Sequence, residues 1–280
     1  FGGGNPGTAE GTMQYVEIQS QGNAIDFGDL TVARQACGLA SKIRGVFGGN
    51  AHPAGNTMDF ITISTTANAT DFGDLTSSLN GRASVSSDTR GIFAGGGTPT
   101  PSNVIDFITI ASTGDASDFG DLTLARRNHS GMCSPTRGVF EGGDSGSTTN
   151  VIDFITIASA GNATDFGDTT AARETSGGGS SSTRGIFMGG YTSGDTNAIE
   201  FITIASAGNS TDFGDLTSAR RNGGSLSNSL RCLYAGGHTS LNTIDFVIIA
   251  TTGNASEFGD LLVGQRINPN HASDSHGGLE

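Results

Sequence analysis

Residues 211–220 read TDFGDLTSAR, and the phrase DFGD inside this stretch decides the fold because it returns at a nearly fixed distance. Five copies begin with Asp and one begins with Glu: Asp26, Asp71, Asp118, Asp165, Asp212 and Glu257. The spacings are 45, 47, 47, 47 and 45 residues. A constant period in this range is typical of a repeat architecture. We therefore interpret the phrase within a repeat rather than as a single catalytic motif.

One repeat, residues 150–190, predicts four short β-strands. VIDFITIAS is rich in β-branched and aromatic residues, and both faces of an alternating strand would be partly apolar, as in a strand buried on two sides. AGN is a turn signal, ATDFGDT reads as a second short strand, and TRGIFMGG as another that ends in a double glycine. Helix signals are missing from the chain. With the small, polar segment before the glycine strand as the fourth, these short strands match one blade of a β-propeller.

Eighteen of the nineteen aromatic residues occupy three positions of the repeat, six residues at each. Large side chains that recur in register are expected to pack between neighbouring blades. The segment before the glycine strand is small and polar, as in TSGGGSSS and GGSLSNS. We expect this segment to form the innermost strand, because only small side chains fit where the blades converge.

The repeat resembles kelch repeats over the whole chain. The shared features are the double glycine after an apolar strand, the acid–aromatic pair in the next strand and the aromatic residue in the outer strand; the kelch period is about 50 residues. Phenylalanine stands where kelch repeats have tryptophan, so the chain is kelch-like. Phrases such as IASAGNATDFGD also resemble repetitive tail or fibre-type proteins of marine bacteriophages.

The expected fold is an all-β, six-bladed kelch-like β-propeller with four-stranded antiparallel blades, formed by residues 1–280 as a single domain. Counting from Glu257 places Gly277 at the position of Gly185 and Leu279 at the aromatic position of Phe1. We therefore expect N- and C-terminal strands to share one blade and close the ring, which removes exposed sheet edges. Because the chain begins with Phe1, it is interpreted as a fragment or processed product of a larger protein.

The residues of the DFGD phrase are expected to have structural roles. An enzyme needs a catalytic motif at one site, whereas this phrase is present six times. The acids are expected to accept hydrogen bonds from turn amides or to pair with arginines. The residues assigned to this structural set are Asp26, Asp29, Asp71, Asp74, Asp118, Asp121, Asp165, Asp168, Asp212, Asp215, Asp260, Arg34, Arg126, Arg173 and Arg220. Leu79 and Gln265 interrupt the arginine series, and a second series is Arg44, Arg90, Arg137, Arg184 and Arg231, with His276 last. Calcium coordination is the alternative, but two carboxylates per blade are fewer than the roughly six to eight oxygens that calcium prefers.

The composition of the chain excludes several classes of binding partner. The net charge is −13 and Lys42 is the one lysine, so nucleic-acid binding and attraction to anionic membranes are disfavoured. No run approaches the roughly 20 apolar residues of a membrane span. Cys37, Cys133 and Cys232 occupy different repeat positions and give neither a disulfide framework nor metal-ligand spacing. No cofactor and no metal are expected.

The loops after the double glycines are the variable part of the repeat, and binding specificity is expected there. Tyr191 is the one aromatic residue outside the repeat positions, and it lies in such a loop. The candidate ligand-binding residues of these loops are Tyr191, His52, His238, Asp195 and Asn242. An exposed tyrosine is suited to stacking on a sugar or anchoring a protein, but packing over the neighbouring blade is an equal alternative.

The sequence therefore favours a binding or adhesion module over an enzyme, since no catalytic constellation is evident from sequence. The phage resemblance implies a tail or fibre component that recognises a glycan or protein on a host surface, located on the virion or outside the cell. The alternatives are a structural module that binds other virion proteins and an intracellular kelch-type adaptor.

Overall fold

The computed structural model describes residues 1–4, 9–49, 55–264 and 271–279 and shows a six-bladed β-propeller. The first blade contains β1 (Gly2–Gly4), β2 (Glu10–Tyr15) and β3 (Ile25–Asp29). The second contains β4 (Cys37–Ala40), β5 (Arg44–Gly48), β6 (Thr57–Thr62) and β7 (Thr70–Asp74). The third contains β8 (Ala83–Ser86), β9 (Arg90–Ala94), β10 (Val104–Thr109) and β11 (Ser117–Asp121).

The remaining blades repeat this order. The fourth contains β12 (Ser130–Cys133), β13 (Arg137–Glu141), β14 (Thr149–Thr156) and β15 (Thr164–Arg173). The fifth contains β16 (Gly177–Ser180), β17 (Arg184–Met188), β18 (Ala198–Thr203) and β19 (Thr211–Asp215). The sixth contains β20 (Gly224–Ser227), β21 (Arg231–Ala235), β22 (Thr243–Ile248) and β23 (Ser256–Asp260). Consecutive strands pair antiparallel within every blade, so the all-β propeller prediction is confirmed. Among the described residues, no helix is long and apolar enough to cross a bilayer.

The antiparallel order puts two kinds of loop on one end of the propeller. The loop between the second and third strands of each blade and the connection to the next blade emerge together. We call this end the loop face. The opposite end, which carries the turns between the first and second strands and between the third and fourth strands, is the turn face.

The aromatic residues occupy the core as expected at two of the three repeat positions. Phe93 is fully buried and packs against Val46 and Phe72 of the preceding blade. The third position differs, because Phe60 is only half-buried and packs edge-on against Phe72 of its own blade. Arg44 lies over the other side of the Phe60 ring, with its guanidinium carbon 4.3 Å from the ring centroid. The second arginine series thus covers an aromatic residue in each of the blades from the second to the sixth.

The innermost strands are β4, β8, β12, β16 and β20, which confirms the prediction for the small, polar segments. Five of their serines do more than fit the narrow space, because their hydroxyls donate to backbone carbonyls of the preceding blade. Ser86 donates to Ala40 at 2.8 Å, and Ser227 donates to Ser180 at 2.9 Å. The same bond is made by Ser84, Ser180, Ser225 and Ser273. These bonds link neighbouring blades around the channel.

The DFGD phrase links blades at the outer circumference. Its phenylalanine is the extra residue of a β-bulge: Ile152 pairs with Gly167 and Asp153 pairs with Asp165, so Phe166 is skipped and points into the core. The carbonyl of Phe166 accepts the N–H of Gly208 at 2.7 Å, and the N–H of Asp168 donates to Oδ1 of Asn209 at 3.1 Å. Both Gly208 and Asn209 belong to the AGN turn of the next blade.

The backbone amide of the second DFGD acid makes this bond at all six junctions between blades. The acceptors are Asn68, Asp115, Asn162, Asn209, Asn254 and Asn23. We call this set of hydrogen bonds the perimeter belt. It covers the edge of each outer strand with backbone from the following blade.

The arginines of the first series pair with different acids from those expected. Arg126 contacts Asp153 in β14, the third strand of the fourth blade. Its Nη1 lies 2.7 Å from Oδ2, and both side chains are fully buried. The other pairs are Arg34–Asp59, Arg173–Glu200 and Arg220–Asp245. Among the described residues, no DFGD carboxylate forms an ion pair, so the expected pairing of those acids with arginine is wrong. The first acid of each phrase is exposed, whereas the paired acids lie at the centres of buried strands.

Arg82 restores the series where Leu79 interrupts it. Its Nη1 lies 2.6 Å from Oδ2 of Asp106, and both side chains are fully buried. The guanidinium therefore reaches the common acid position from a backbone site three residues further along the chain. Gln265, which interrupts the series at its end, lies outside the described residues.

The first blade is shared by the two ends of the chain, as predicted. Residues 271–273 lie at its inner position: His271 donates its N–H to Ser225 O at 3.0 Å, and Gly2 donates to Nδ1 of His271 at 3.2 Å. The segment is not a regular strand, and the expected register is wrong. Gly277–Leu279 forms a 3₁₀ turn in the channel rather than continuing the blade. A Cβ on Gly277 would lie 2.5 Å or less from the carbonyls of Cys133 and Ser181.

Candidate functional site

The loop 190–196 on the loop face of the fifth blade is held in one shape by its backbone. Gly189 and Gly190 have φ values of +64° and +109°, and a Cβ on Gly190 would lie 2.8 Å from the carbonyl of Glu174. Tyr191 and Glu174 exchange backbone hydrogen bonds of 2.8 and 3.0 Å, and Thr196 donates to Gly190 O at 3.0 Å. The double glycine thus allows the loop to lie directly on the connection between the fourth and fifth blades.

Three of the five predicted candidates meet around one arginine on this face. The guanidinium carbon of Arg221 lies 4.4 Å from the ring centroid of Tyr191. Its Nε lies 3.4 Å from Oδ1 of Asp195, and Nδ1 of His238 lies 3.7 Å from Oδ2 of the same carboxylate. We call these residues, Tyr191, Asp195, Arg221 and His238, the Tyr191 cluster. The side chains of Arg221, Asp195 and His238 are 27%, 31% and 29% exposed, so the cluster is preorganised and still reachable from solvent.

Arg221 was missed by the sequence analysis. The signal was present, because Arg221 follows the structural Arg220, whereas Gln35, Asn80, Arg127 and Glu174 hold the same position in other blades. This position varies in charge from blade to blade, as the loops do. Variation at a fixed position beside variable loops could have indicated a surface residue of the same site.

The neighbouring blade carries a related pair on the same face. Nε and Nη2 of Arg127 both lie 3.0 Å from Oδ2 of Asp144. Between this pair and the Tyr191 cluster, Nδ2 of Asn128 donates to Oε2 of Glu174 at 3.0 Å. The loop face is therefore an array of half-buried, oriented polar groups, and the Tyr191 cluster is its aromatic part.

The remaining candidates do not join the cluster. Asn242 is exposed, and its backbone carbonyl accepts the N–H of Leu261 at 2.7 Å. Asn56, Asn103 and Asn197 make the same bond in other blades, so this contact belongs to the repeat. His52 lies outside the described residues.

The structure also brings together Cys133 and His276, which are 143 residues apart, inside the channel. Sγ of Cys133 lies 3.5 Å from Nδ1 of His276, which also accepts the N–H of Gly278 at 3.0 Å. Nε2 of His276 lies 2.9 Å from the carbonyl of Ala40, so we assign the proton to Nε2. Burial raises the pKa of the Cys133 thiol. The opposing effect is larger, because the His276 ring becomes positively charged when Nδ1 takes the thiol proton and, together with backbone donors, stabilises the thiolate, so the pKa lies below its ordinary value. Burial raises the pKa of Cys37 to about 11 and raises that of Cys232.

We expect iodoacetamide to modify Cys133 at least about tenfold faster than Cys37 or Cys232 in the folded protein, because the thiolate is the reactive form. Peptide mass mapping over a time course measures the three rates. His276→Leu should slow modification of Cys133 and leave the other two rates unchanged. Equal rates at the three cysteines would show that the imidazole does not activate the thiol.

Among the described residues, no three His, Cys, Asp or Glu side chains converge closely enough to hold a metal ion. Comparison with protein-family models gave no match, and comparison with curated protein sequences gave none either.

Proposed function

We propose that this kelch-like propeller is a binding or adhesion module whose loop face recognises a glycan or protein on a host surface. Following the resemblance of its repeat to phage tail and fibre-type proteins, we place it in a phage tail or fibre, on the virion or outside the cell. The proposal includes no catalytic step. The Cys133–His276 pair lies inside the channel, away from the loop face that would meet a partner.

The Tyr191 cluster is the observation that carries this proposal. Tyrosine and arginine are enriched among the residues that dominate binding energies, and a tyrosine ring presents apolar area at low cost in conformational entropy. The carboxylate of Asp195 and the guanidinium of Arg221 are held in fixed positions beside the ring. Fixed polar groups next to an aromatic surface suit a ligand with one apolar face and several hydroxyl or amide groups. Sugars have this character, and so do exposed protein loops.

The test combines a glycan array with a pull-down from host envelope material. We expect Tyr191→Ala combined with Arg221→Ala to weaken binding about 30-fold, because losing an anchoring residue costs about 2 kcal/mol. The matched control is Arg127→Ala with Asp144→Ala, which removes the corresponding polar pair of the fourth blade and no aromatic ring. Hydrolysis of a substrate without retention of host material, or equal binding by the two double variants, would contradict the proposal.

A structural module that contacts other virion proteins is the competing function, and one variant separates the two. Tyr191→Ala with His238→Ala should reduce host attachment and leave particle assembly intact if the loop face recognises the host. Failure of particle assembly with normal attachment of the assembled fraction would favour the structural module instead.

A further inference from the structure

Six equivalent residues form a ring at the turn-face end of the channel, where the inner segments of the blades end. They are Ala40, Ser86, Cys133, Ser180, Ser227 and Ser273. Each of the four serines donates its hydroxyl to the carbonyl of the preceding residue in this ring, at 2.7–2.9 Å. Cys133 departs from this pattern, because its Sγ contacts the imidazole of His276 instead. Serine meets the needs of the fold at this position, so the ring does not require the thiol.

The sulfur of Cys133 is surrounded by groups that stabilise its anionic form. Nδ1 of His276 lies 3.5 Å away and can accept the thiol proton. The imidazole is held in this orientation by Nε2, which lies 2.9 Å from the carbonyl of Ala40 and 3.1 Å from Oγ of Ser86. The backbone N–H groups of Ser86 and Gly278 also hydrogen-bond to the sulfur. A base and two N–H donors around a thiol are the surroundings of a reactive cysteine rather than of an inert buried one.

The space beside this pair suits a very small reactant. A cavity of about 30 Å³ in the channel is lined by both Cys133 and His276, and this volume is large enough for about two water molecules. Gly179 and Ser180 form part of the same wall. Cys133 is 5% exposed and His276 is half-buried, so solvent reaches the pair. Hydrogen peroxide is little larger than water and forms the same kinds of hydrogen bond, so it fits this cavity.

We propose that Cys133 is an oxidation site at which hydrogen peroxide converts the thiol to a sulfenic acid, with His276 as the group that accepts and returns the proton. Thiolate character and access to solvent decide which cysteines undergo this reaction. Among the described residues, neither Cys37 nor Cys232 contacts an imidazole. The site lies at the turn-face end of the channel, so it is separate from the loop-face site and independent of the proposed function.

The reaction balances with the side chains of this pair and one molecule of peroxide. Nδ1 of His276 takes the proton from Sγ of Cys133, which leaves a thiolate beside an imidazolium. The thiolate attacks one oxygen of the peroxide, an S–O bond forms and the O–O bond breaks. The departing hydroxide takes the proton from Nδ1 and leaves as water. Sulfur loses two electrons and the peroxide gains them, so the products are Cys133 sulfenic acid, water and a neutral His276.

Timed exposure of the folded protein to hydrogen peroxide tests the proposal. At each time the peroxide is removed with catalase, the protein is unfolded in urea that contains dimedone, and peptide mass mapping measures the dimedone adduct at each cysteine. We expect Cys133 to be oxidised at least about tenfold faster than Cys37 or Cys232, because the thiolate is the reacting form. Cys133→Ser, which completes the run of serines in the ring, should fold as the parent protein does and lose the fast adduct. Equal oxidation rates at the three cysteines would overturn the proposal.

His276→Ala separates activation by the imidazole from access to the sulfur. The change enlarges the cavity, so access alone would speed the oxidation of Cys133. Loss of the proton acceptor should instead slow it about tenfold and leave the rates at Cys37 and Cys232 unchanged. Far-ultraviolet circular dichroism and the melting temperature confirm that the variant is folded. An equal or faster rate at Cys133 in His276→Ala, or oxidation of Cys133 only after the protein unfolds, would also overturn the proposal.

Discussion

Replacing Gly167 by alanine should lower the free energy of unfolding by about 3 kcal/mol or more, although the change adds one methyl group. Gly167 has a φ of +147°, a conformation that a residue with a Cβ adopts only under strain. The new Cβ would lie 2.6 Å from the carbonyl of Gly208. That backbone cannot retreat without loss of two hydrogen bonds beside the perimeter belt, because Gly208 and Ser210 donate to the carbonyls of Phe166 and Asp168 at 2.7 and 2.9 Å. Urea unfolding followed by circular dichroism measures the change.

Gly194→Ala is the matched control for this result. Gly194 lies in the loop that carries Tyr191, and a Cβ there would meet no atom within 4 Å. Its effect should stay within about 0.5 kcal/mol, as is usual for surface substitutions. If both alanine variants unfold at the same urea concentration, the close approach at the outer circumference is not a constraint on the fold.

The second large effect is expected for Arg126→Met, which should cost about 3–5 kcal/mol of stability. The substitution leaves the carboxylate of Asp153 fully buried without its cation. Thr123 still donates its hydroxyl and its N–H to this carboxylate, at 2.5 and 3.2 Å, but neutral donors do not replace the charge. The carbonyl of Phe140 also loses a donor, which is 3.2 Å away in the parent protein. Urea unfolding again provides the measurement.

Three further variants make this expectation specific. Arg126→Met combined with Asp153→Leu should be more stable than Arg126→Met alone, because the double variant no longer buries an unpaired charge. Arg127→Met, one residue along the chain, breaks an ion pair whose arginine is 35% exposed and should cost at most about 1 kcal/mol. Asp153→Leu alone completes the comparison: if the losses of the two single variants simply add in the double variant, the two groups are not coupled and the structural account of the pair fails.

The fold was predictable because its main determinants are repeated in the sequence. Aromatic residues in register require equivalent contacts between blades, and small residues such as those of Gly177–Ser180 require a crowded axis. The acid that forms the ion pair with each repeated arginine was less predictable. The acids of the DFGD phrase and the acids at the Asp153 position recur with the same period. The distinguishing signal was local: Asp153 has apolar neighbours in the middle of a strand, whereas Asp165 follows a turn. Arg82 could not be found from the repeat, because it does not occupy the arginine position of its repeat, which is Leu79. Its long side chain still reaches Asp106 from a backbone site three residues further along the chain.

The candidate site was predictable as a set of loops but not as a set of contacts. The double glycine and the isolated aromatic residue indicated the region of Tyr191, and the structure shows Asp195 and His238 beside it. The contribution of Arg221 depends on how the loop 190–196 lies on the connections between blades, which repeat spacing does not specify. The predicted repeat positions of Gly277 and Leu279 were wrong for a similar reason. Counting repeat positions assumed that the blade continues, whereas the chain turns into the channel after Ser273.

The acids of the DFGD phrase form no ion pairs among the described residues, and this affects how closely several copies of the propeller can approach each other. The backbone of these residues takes part in the perimeter belt at the outer circumference, and their twelve side chains are exposed or half-buried there. Two discs approaching edge to edge therefore repel each other once they come within a Debye length, about 8 Å at physiological ionic strength. Many copies on one support would keep lateral spacing and remain dispersed, and close contact with another body would be directed along the propeller axis, through either flat end.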